Sequence, residues 1–220
     1  MAAVQPGGPV TEGIGSLEVR WIFPGQLETA VTEWFARFPA ELETRDDLYL
    51  LSPRLPAHSV KLRGRAALEV KAYRGSPGIL EVAGRACGRL ESWRKWSFPF
   101  ASLSHDGVDS ADWRLIKKTR RISRFSLSSE TIRASGHGPG SGERGCAVEL
   151  TEVLIRGEAW WTLGFESVGR PGLLRSQLEA TAALVFAETL PGEVGPCLDD
   201  SKSYAEWLLQ WADAGKSTST

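Results

Sequence analysis

The segment "VKLRGRAALEVKAYRG", residues 60–75, sets Lys61, Arg63, Arg65, Lys71 and Arg74 among residues fit for a core. In a β-strand, Lys61, Arg63 and Arg65 share one face while Val60 and Leu62 share the other. A row of cations at period two has two explanations. It is a solvated strand face, the ordinary place for charge, or it is one wall of a site built for an anion.

The whole chain narrows the choice. Its 220 residues, 42% of them hydrophobic and nine of them Trp, suffice for one large domain with a sizeable core. The opening "MAAVQPGGPVTEGIG" has neither the basic start nor the apolar run of a secretory leader. No run of about eighteen apolar residues predicts a membrane span. Cys87, Cys146 and Cys197 are odd in number and widely spaced, which fits a reducing cytoplasm rather than a disulfide framework. His58, His105 and His137, scattered through apparent loops, give no zinc pattern.

Net charge is −1, but it is unevenly placed. Residues Arg54 to Arg133 carry 17 Lys and Arg against 7 Asp and Glu, and the rest of the chain carries 9 against 20. A basic middle between acidic flanks suggests a focused anion site rather than a nucleic-acid coat. The alternative is that flank acids simply pair with the basic middle.

Most of the chain reads as strands. "GSLEVRWIF" (15–23), "DDLYLLS" (46–52), the hairpin-like pair "SVKLRGR" and "LEVKAYR", "DWRLIKKTRRISRFSLS" (112–128), "CAVELTEVLIRG" and "EAWWTLGFESVG" all show strand patterning, the last two joined by a turn at Arg156-Gly157. Residues 25–38, 173–190 and "KSYAEWLLQWA" read as helices. Residues 78–98 are ambiguous, because glycines interrupt any long helix. Residues 1–15, the Gly-rich stretch 136–145 and the tail 213–220 are expected to be poorly ordered, which leaves one domain over 16–212. Many strands with charged inward positions call for closure, since a barrel satisfies every edge around an aqueous lumen. The predicted class is therefore α+β: a closed antiparallel β-barrel with flanking helices. On the basic strand 112–128 both faces carry charge.

In order and spacing, "SLEVRW", "DLYLLS", "VKLRGR", "LEVK", "KKTRR", "VELTEV", "TLGFES" and "SKSYAEWL" together resemble the CYTH, or triphosphate tunnel metalloenzyme, superfamily. The resemblance implies a tunnel barrel that binds a triphosphate-bearing compound through basic residues and Mg²⁺ or Mn²⁺ through carboxylates. It implies phosphate contacts from Arg20, Lys61, Arg63, Lys118 and Arg120, metal ligation by Glu18, Glu149 and Glu166, and catalytic roles for Glu18, Lys71 and Glu166. The Lys118/Arg120 face of the basic strand is chosen because it matches the family's K-x-R spacing. Lys and forked Arg groups hold a phosphate chain at several points, and a carboxylate-held divalent ion polarises a phosphoryl group.

Two departures from the pattern stand out. Where the family opens E-x-E-x-K, this chain has Ser16, Glu18 and Arg20; where it later has E-x-E, this chain has Gly164 and Glu166. Trp21, Trp93, Trp96, Trp113, Trp160 and Trp161 would suit a substrate with a planar or apolar tail, although a Trp more often belongs to a core. The first functional expectation is metal-dependent processing, phosphohydrolase-like, of an organic tri- or diphosphate. The alternatives are a non-catalytic phosphate-binding module and a diphosphate-ionising cyclase or lyase using cation–π shelter. No membrane and no nucleic-acid partner is expected.

Overall fold

The computed structural model describes residues 13–64, 67–99, 112–128, 131–135, 145–192 and 195–217. Among the described residues nine strands run in chain order as β1 (Ile14–Pro24), β2 (Glu41–Leu50), β3 (His58–Arg63), β4 (Ala67–Val82), β5 (Ala86–Pro99), β6 (Trp113–Ser128), β7 (Thr131–Ser135), β8 (Gly145–Ile155) and β9 (Glu158–Val168). Helix α1 (Thr29–Phe35) follows β1, α2 (Leu174–Val185) follows β9, and α3 (Tyr204–Ser217) ends the described chain.

The sheet order β2-β3-β4-β5-β1-β9-β8-β6 is closed by pairing of β2 with β6, so eight antiparallel strands form the barrel wall. The ninth, β7, continues the same edge of β6: β2 pairs with Trp113–Ile122 and β7 with Arg124–Ser128. Closure removes the unpaired edges that an open sheet exposes.

Alternation places two apolar groups. Outward residues Leu17, Val19 and Trp21 of β1, Val148 and Leu150 of β8, and Leu163 and Phe165 of β9 pack under α1 and α2 against Phe35, Leu178 and Phe186. Inward residues Ile22, Ile116, Val153 and Ile155 meet Trp207 and Leu208 of α3, which forms an apolar plug over one mouth of the barrel. The charged inward positions lie beyond this plug.

Several sequence expectations need correction. The ambiguous stretch 78–98 is a hairpin. Gly75 (φ 120°) and Gly78 (φ 119°) absorb register shifts that let β4 continue to Val82, and the chain then turns back as β5. Strand β2 starts at Glu41 rather than Asp46, and its polar start is stabilised by pairing along β6. Strand β1 begins at Ile14, inside the segment expected to be disordered, because Ile14 and Gly15 pair with Lys95 and Arg94. Helix α3 runs to Ser217, into the expected frayed tail. His58 opens β3 rather than a loop. The turn at Arg156-Gly157 is present, with both residues at positive φ (49° and 83°), as a two-residue hairpin of right-handed strands favours. Residues 1–12, Arg65, His105, His137 and 136–144 lie outside the described residues.

Candidate functional site in the barrel lumen

Each inward face contributes polar residues at period two to one cavity of about 120 Å³. Glu18 and Arg20 enter from β1, Lys61 and Arg63 from β3, Lys71 from β4, Lys118 and Arg120 from β6, Glu149 from β8 and Glu166 from β9. On β6 the Lys118/Arg120 face is the inward one, whereas Arg121 lies on the outer wall and pairs with Glu152 at 2.8 Å.

Strand register fixes the first group of contacts. Glu18 and Glu166 are direct partners across β1 and β9, so their carboxylates share one region of the lumen. The Lys71 ammonium reaches both, donating to Glu18 Oε1 at 2.7 Å and Glu166 Oε1 at 3.4 Å. Ser16 Oγ also donates to Glu18 Oε1, at 2.6 Å. Arg20 is the partner of Gly164, and its guanidinium lies over that glycine: a Cβ at 164 would stand 2.7 Å from Cζ. From there Arg20 donates to Thr162 Oγ1 at 2.9 Å, pairs with Glu149 at 3.5 Å and covers the Tyr204 ring. Arg120 hydrogen-bonds Glu149 and Glu43.

A second group was not visible in the sequence reading. Asp47 of β2 is fully buried and meets three cations: Arg45 at 3.2 Å, Lys61 at 3.1 Å and Lys118 at 3.3 Å. Lys118 also donates to Tyr49 Oη at 2.8 Å and sits 3.8 Å from the centre of the Tyr204 ring. Glu69 pairs with Lys61 and Arg63, each at 3.1 Å. The signal for β2 was available as Glu43, Arg45, Asp47 and Tyr49 at alternate positions. The partnership with Tyr204, far away in sequence, left no local signal. Flank acids therefore do pair with the basic middle, inside the lumen.

The charges tune one another. Burial favours the neutral form of Asp47, but Lys118, Lys61 and Arg45 outweigh it and hold the carboxyl well below its usual range. Burial works the same way at Glu69, where Lys61, Arg63 and Lys95 win and lower it to about 2. Glu166 is lowered to about 2, chiefly by Lys71. Burial opposes the charge on Lys71, yet Glu166 and Glu18 raise its pKa above the ordinary lysine value. Lys118 goes the other way: burial outweighs Tyr49 and Asp47 and lowers it.

The lining also includes Lys95 and Glu91, both missed in the sequence. Lys95 has no ion-pair partner within 4 Å among the described residues, unlike the other lumen cations named above. Of the tryptophans, Trp93 lines the cavity and donates to Glu91 at 3.2 Å. Trp21 and Trp161 belong to the outer core and Trp160 packs on Trp207 at the plug, so their rings are not available to a ligand in the lumen.

Mg²⁺ or Mn²⁺ on Glu18, Glu149 and Glu166 is what the resemblance implies. Carboxylate oxygens are the right donors, but the arrangement does not fit the ion. Lys71 bridges Glu18 and Glu166, and Glu149 is held by Arg120 and Arg20. Among the described residues, no three His, Cys, Asp or Glu side chains gather as a metal site.

No protein-family model matches the chain, and no curated protein is significantly similar to it. The chain is similar in fold to solved structures. The PH1819 protein from Pyrococcus horikoshii OT3 is 14% identical, with 88% of this chain and 99% of that chain covered and a TM-score of 0.48. A conserved hypothetical protein from Pyrococcus furiosus is 16% identical, with 86% and 98% covered and a TM-score of 0.45. HpAC1 from Hippeastrum, described as having a dominant triphosphatase activity, is 9% identical, with 81% and 92% covered and a TM-score of 0.42. Closed barrel, inward charges and flanking helices together are the architecture that the sequence resemblance implies.

Proposed function

We propose that the chain is a divergent tunnel-barrel protein of the CYTH type that binds an organic tri- or diphosphate in its lumen and hydrolyses it. The observation that carries this reading is the gathering of eight Lys and Arg around one cavity: five Glu line it with them, Asp47 and Glu43 pair with them from behind, and Lys95 makes no ion pair among the described residues. Lys and forked Arg groups converging on one cavity can share the oxygens of a phosphate chain at several points.

In this reading Arg20, Lys61, Arg63, Lys118 and Arg120 hold the phosphate chain, and Lys95 adds a cation not committed to a protein carboxylate. Lys71 faces the reacting phosphoryl group. A water attacks the terminal phosphorus, the bridging oxygen leaves with the bonding electrons, and Glu166, with Glu18 beside it, accepts the water's proton. The cations neutralise the charge gathering on the leaving oxygen. A version with Mg²⁺ or Mn²⁺ on Glu18, Glu149 and Glu166 requires bound phosphates to draw Lys71, Arg20 and Arg120 off those carboxylates first.

One observation favours a second reading, a phosphate-binding module without turnover: Glu18, Glu149 and Glu166 are all engaged by lumen cations. A panel of tripolyphosphate, nucleoside triphosphates and prenyl diphosphates, followed by thermal shift and product analysis, separates the readings. Stabilisation with release of phosphate is expected. Stabilisation alone selects the binding module, pyrophosphate with an apolar product selects a lyase, and no response to any ligand overturns the phosphate reading.

A further inference from the structure

We infer that this lumen carries its own fixed cations, Lys71 and Arg20, in place of a divalent metal, so that a phosphate chain binds without Mg²⁺. The inference rests on the phosphate-binding reading and concerns what completes the site.

Three independent features of the wall lead to it. Lys71 Nζ stands between two register-paired carboxylates, 2.7 Å from Glu18 and 3.4 Å from Glu166, which is where a cation shared by both would sit. Position 164 can carry no carboxylate while Arg20 lies where its Cβ would be. Position 16 adds no charge either: the Ser16 hydroxyl donates to Glu18 and so helps to satisfy it.

Glu18, Glu149 and Glu166 each already face a cation among Lys71, Arg20 and Arg120, and Arg120 also reaches Glu43. A divalent ion entering here adds two positive charges beside an ammonium and two guanidinium groups that already neutralise its only ligands. Like charges a few ångströms apart in a poorly solvated site repel strongly. A phosphate chain instead competes with these carboxylates for their cations and can also reach Lys95, which makes no ion pair among the described residues. Here the ammonium does electrostatically what the metal does elsewhere, without the metal's coordination geometry.

Calorimetric titration of the full chain with inorganic tripolyphosphate, in excess EDTA and in excess Mg²⁺, tests this. The expected result is binding in EDTA within about threefold of that in Mg²⁺. Affinity lower in EDTA by about tenfold or more overturns the inference and leaves the phosphate reading intact. Binding in neither buffer overturns both. Mn²⁺ titration followed by electron paramagnetic resonance gives a readout free of phosphate. Wild type should leave Mn²⁺ free, and Lys71→Met, which removes the ammonium from between Glu18 and Glu166, should take it up. Wild type binding Mn²⁺ as well as the variant does would overturn the inference, and this wild-type arm stands even if the variant folds poorly.

Discussion

Arg20 and Gly164 occupy one space. They are register partners across β1 and β9, and the guanidinium lies so close over the glycine that a Cβ there would be 2.7 Å from Cζ. The two departures from the family pattern at these positions, arginine for lysine and glycine for glutamate, therefore meet at one point of the wall. Gly164→Ala should push the guanidinium away from Thr162 and Glu149 while the fold persists, since the displaced atoms end a flexible side chain. The expected outcome is an affinity for tripolyphosphate reduced by about tenfold, measured by calorimetry, with a melting temperature within about 3 °C of wild type. Unchanged affinity would show that Arg20 does not touch the ligand.

Lys95 and Asp47 should behave in opposite ways. Among the described residues Lys95 makes no ion pair within 4 Å, so Lys95→Ala should weaken tripolyphosphate binding by roughly three- to tenfold with little change in stability. Asp47→Asn leaves Arg45, Lys61 and Lys118 crowded without their shared counter-charge. Breaking a buried pair in this way costs about 3–5 kcal/mol, which denaturant unfolding measures directly. A neutral Asp47→Asn substitution would mean that water or counterions already screen the cluster.

Acid should unfold the protein through its lumen. Glu69 and Glu166 are both held at about 2 in the folded state, below the ordinary 4.5. A carboxyl with a depressed folded pKa contributes stability that is complete above its unfolded value and disappears as pH falls towards the folded one. Melting temperature should therefore be flat above about pH 5.5 and fall progressively between about 4.5 and 2. Glu69→Gln should shrink that fall. An acid transition of unchanged size in the variant would place the responsible groups elsewhere.

Glu166→Gln separates binding from chemistry. The amide keeps the shape and leaves the phosphate-holding cations in place, so tripolyphosphate affinity should stay within about threefold of wild type. If Glu166 accepts the proton of the attacking water, phosphate release should fall by about 10²–10⁴-fold. Full turnover in the variant would move the chemistry to another residue.

The barrel was legible because period-two charge survives in sequence. Lys61 with Arg63 marks one charged face of its strand, while on strand 112–128 both faces carry charge and the Lys118/Arg120 face was chosen from the spacing of the family it resembles. Asp47 falls inside the expected strand 46–52, but its place in an inward polar row shows only when the strand is extended back through Arg45 and Glu43. Its earlier half, Glu41 to Arg45, carries Leu42 as its one apolar residue and reads as a loop until β6 is laid beside it. The third helix was readable from its apolar spacing, but not that Trp207 and Leu208 would plug the barrel and bring Tyr204 over Lys118. That contact joins residues 86 positions apart in number, beyond the reach of any local pattern. Tryptophan misled for a related reason: composition counts rings but does not say which side of a wall they face.

The Asp47 cluster also constrains how such a chain can diverge. With one carboxylate answering to Arg45, Lys61 and Lys118 on three different strands, the cost of losing a member depends on which one goes first. A lineage that lost Asp47 first would pass through a poorly folded intermediate. One that first traded Lys118 for an uncharged residue would leave Asp47 still neutralised by the other two cations. The order of substitution is thereby biased, with the cation changing before the acid. Natural variation in relatives of this chain should show Lys118 replaced in backgrounds that keep Asp47 more often than the reverse.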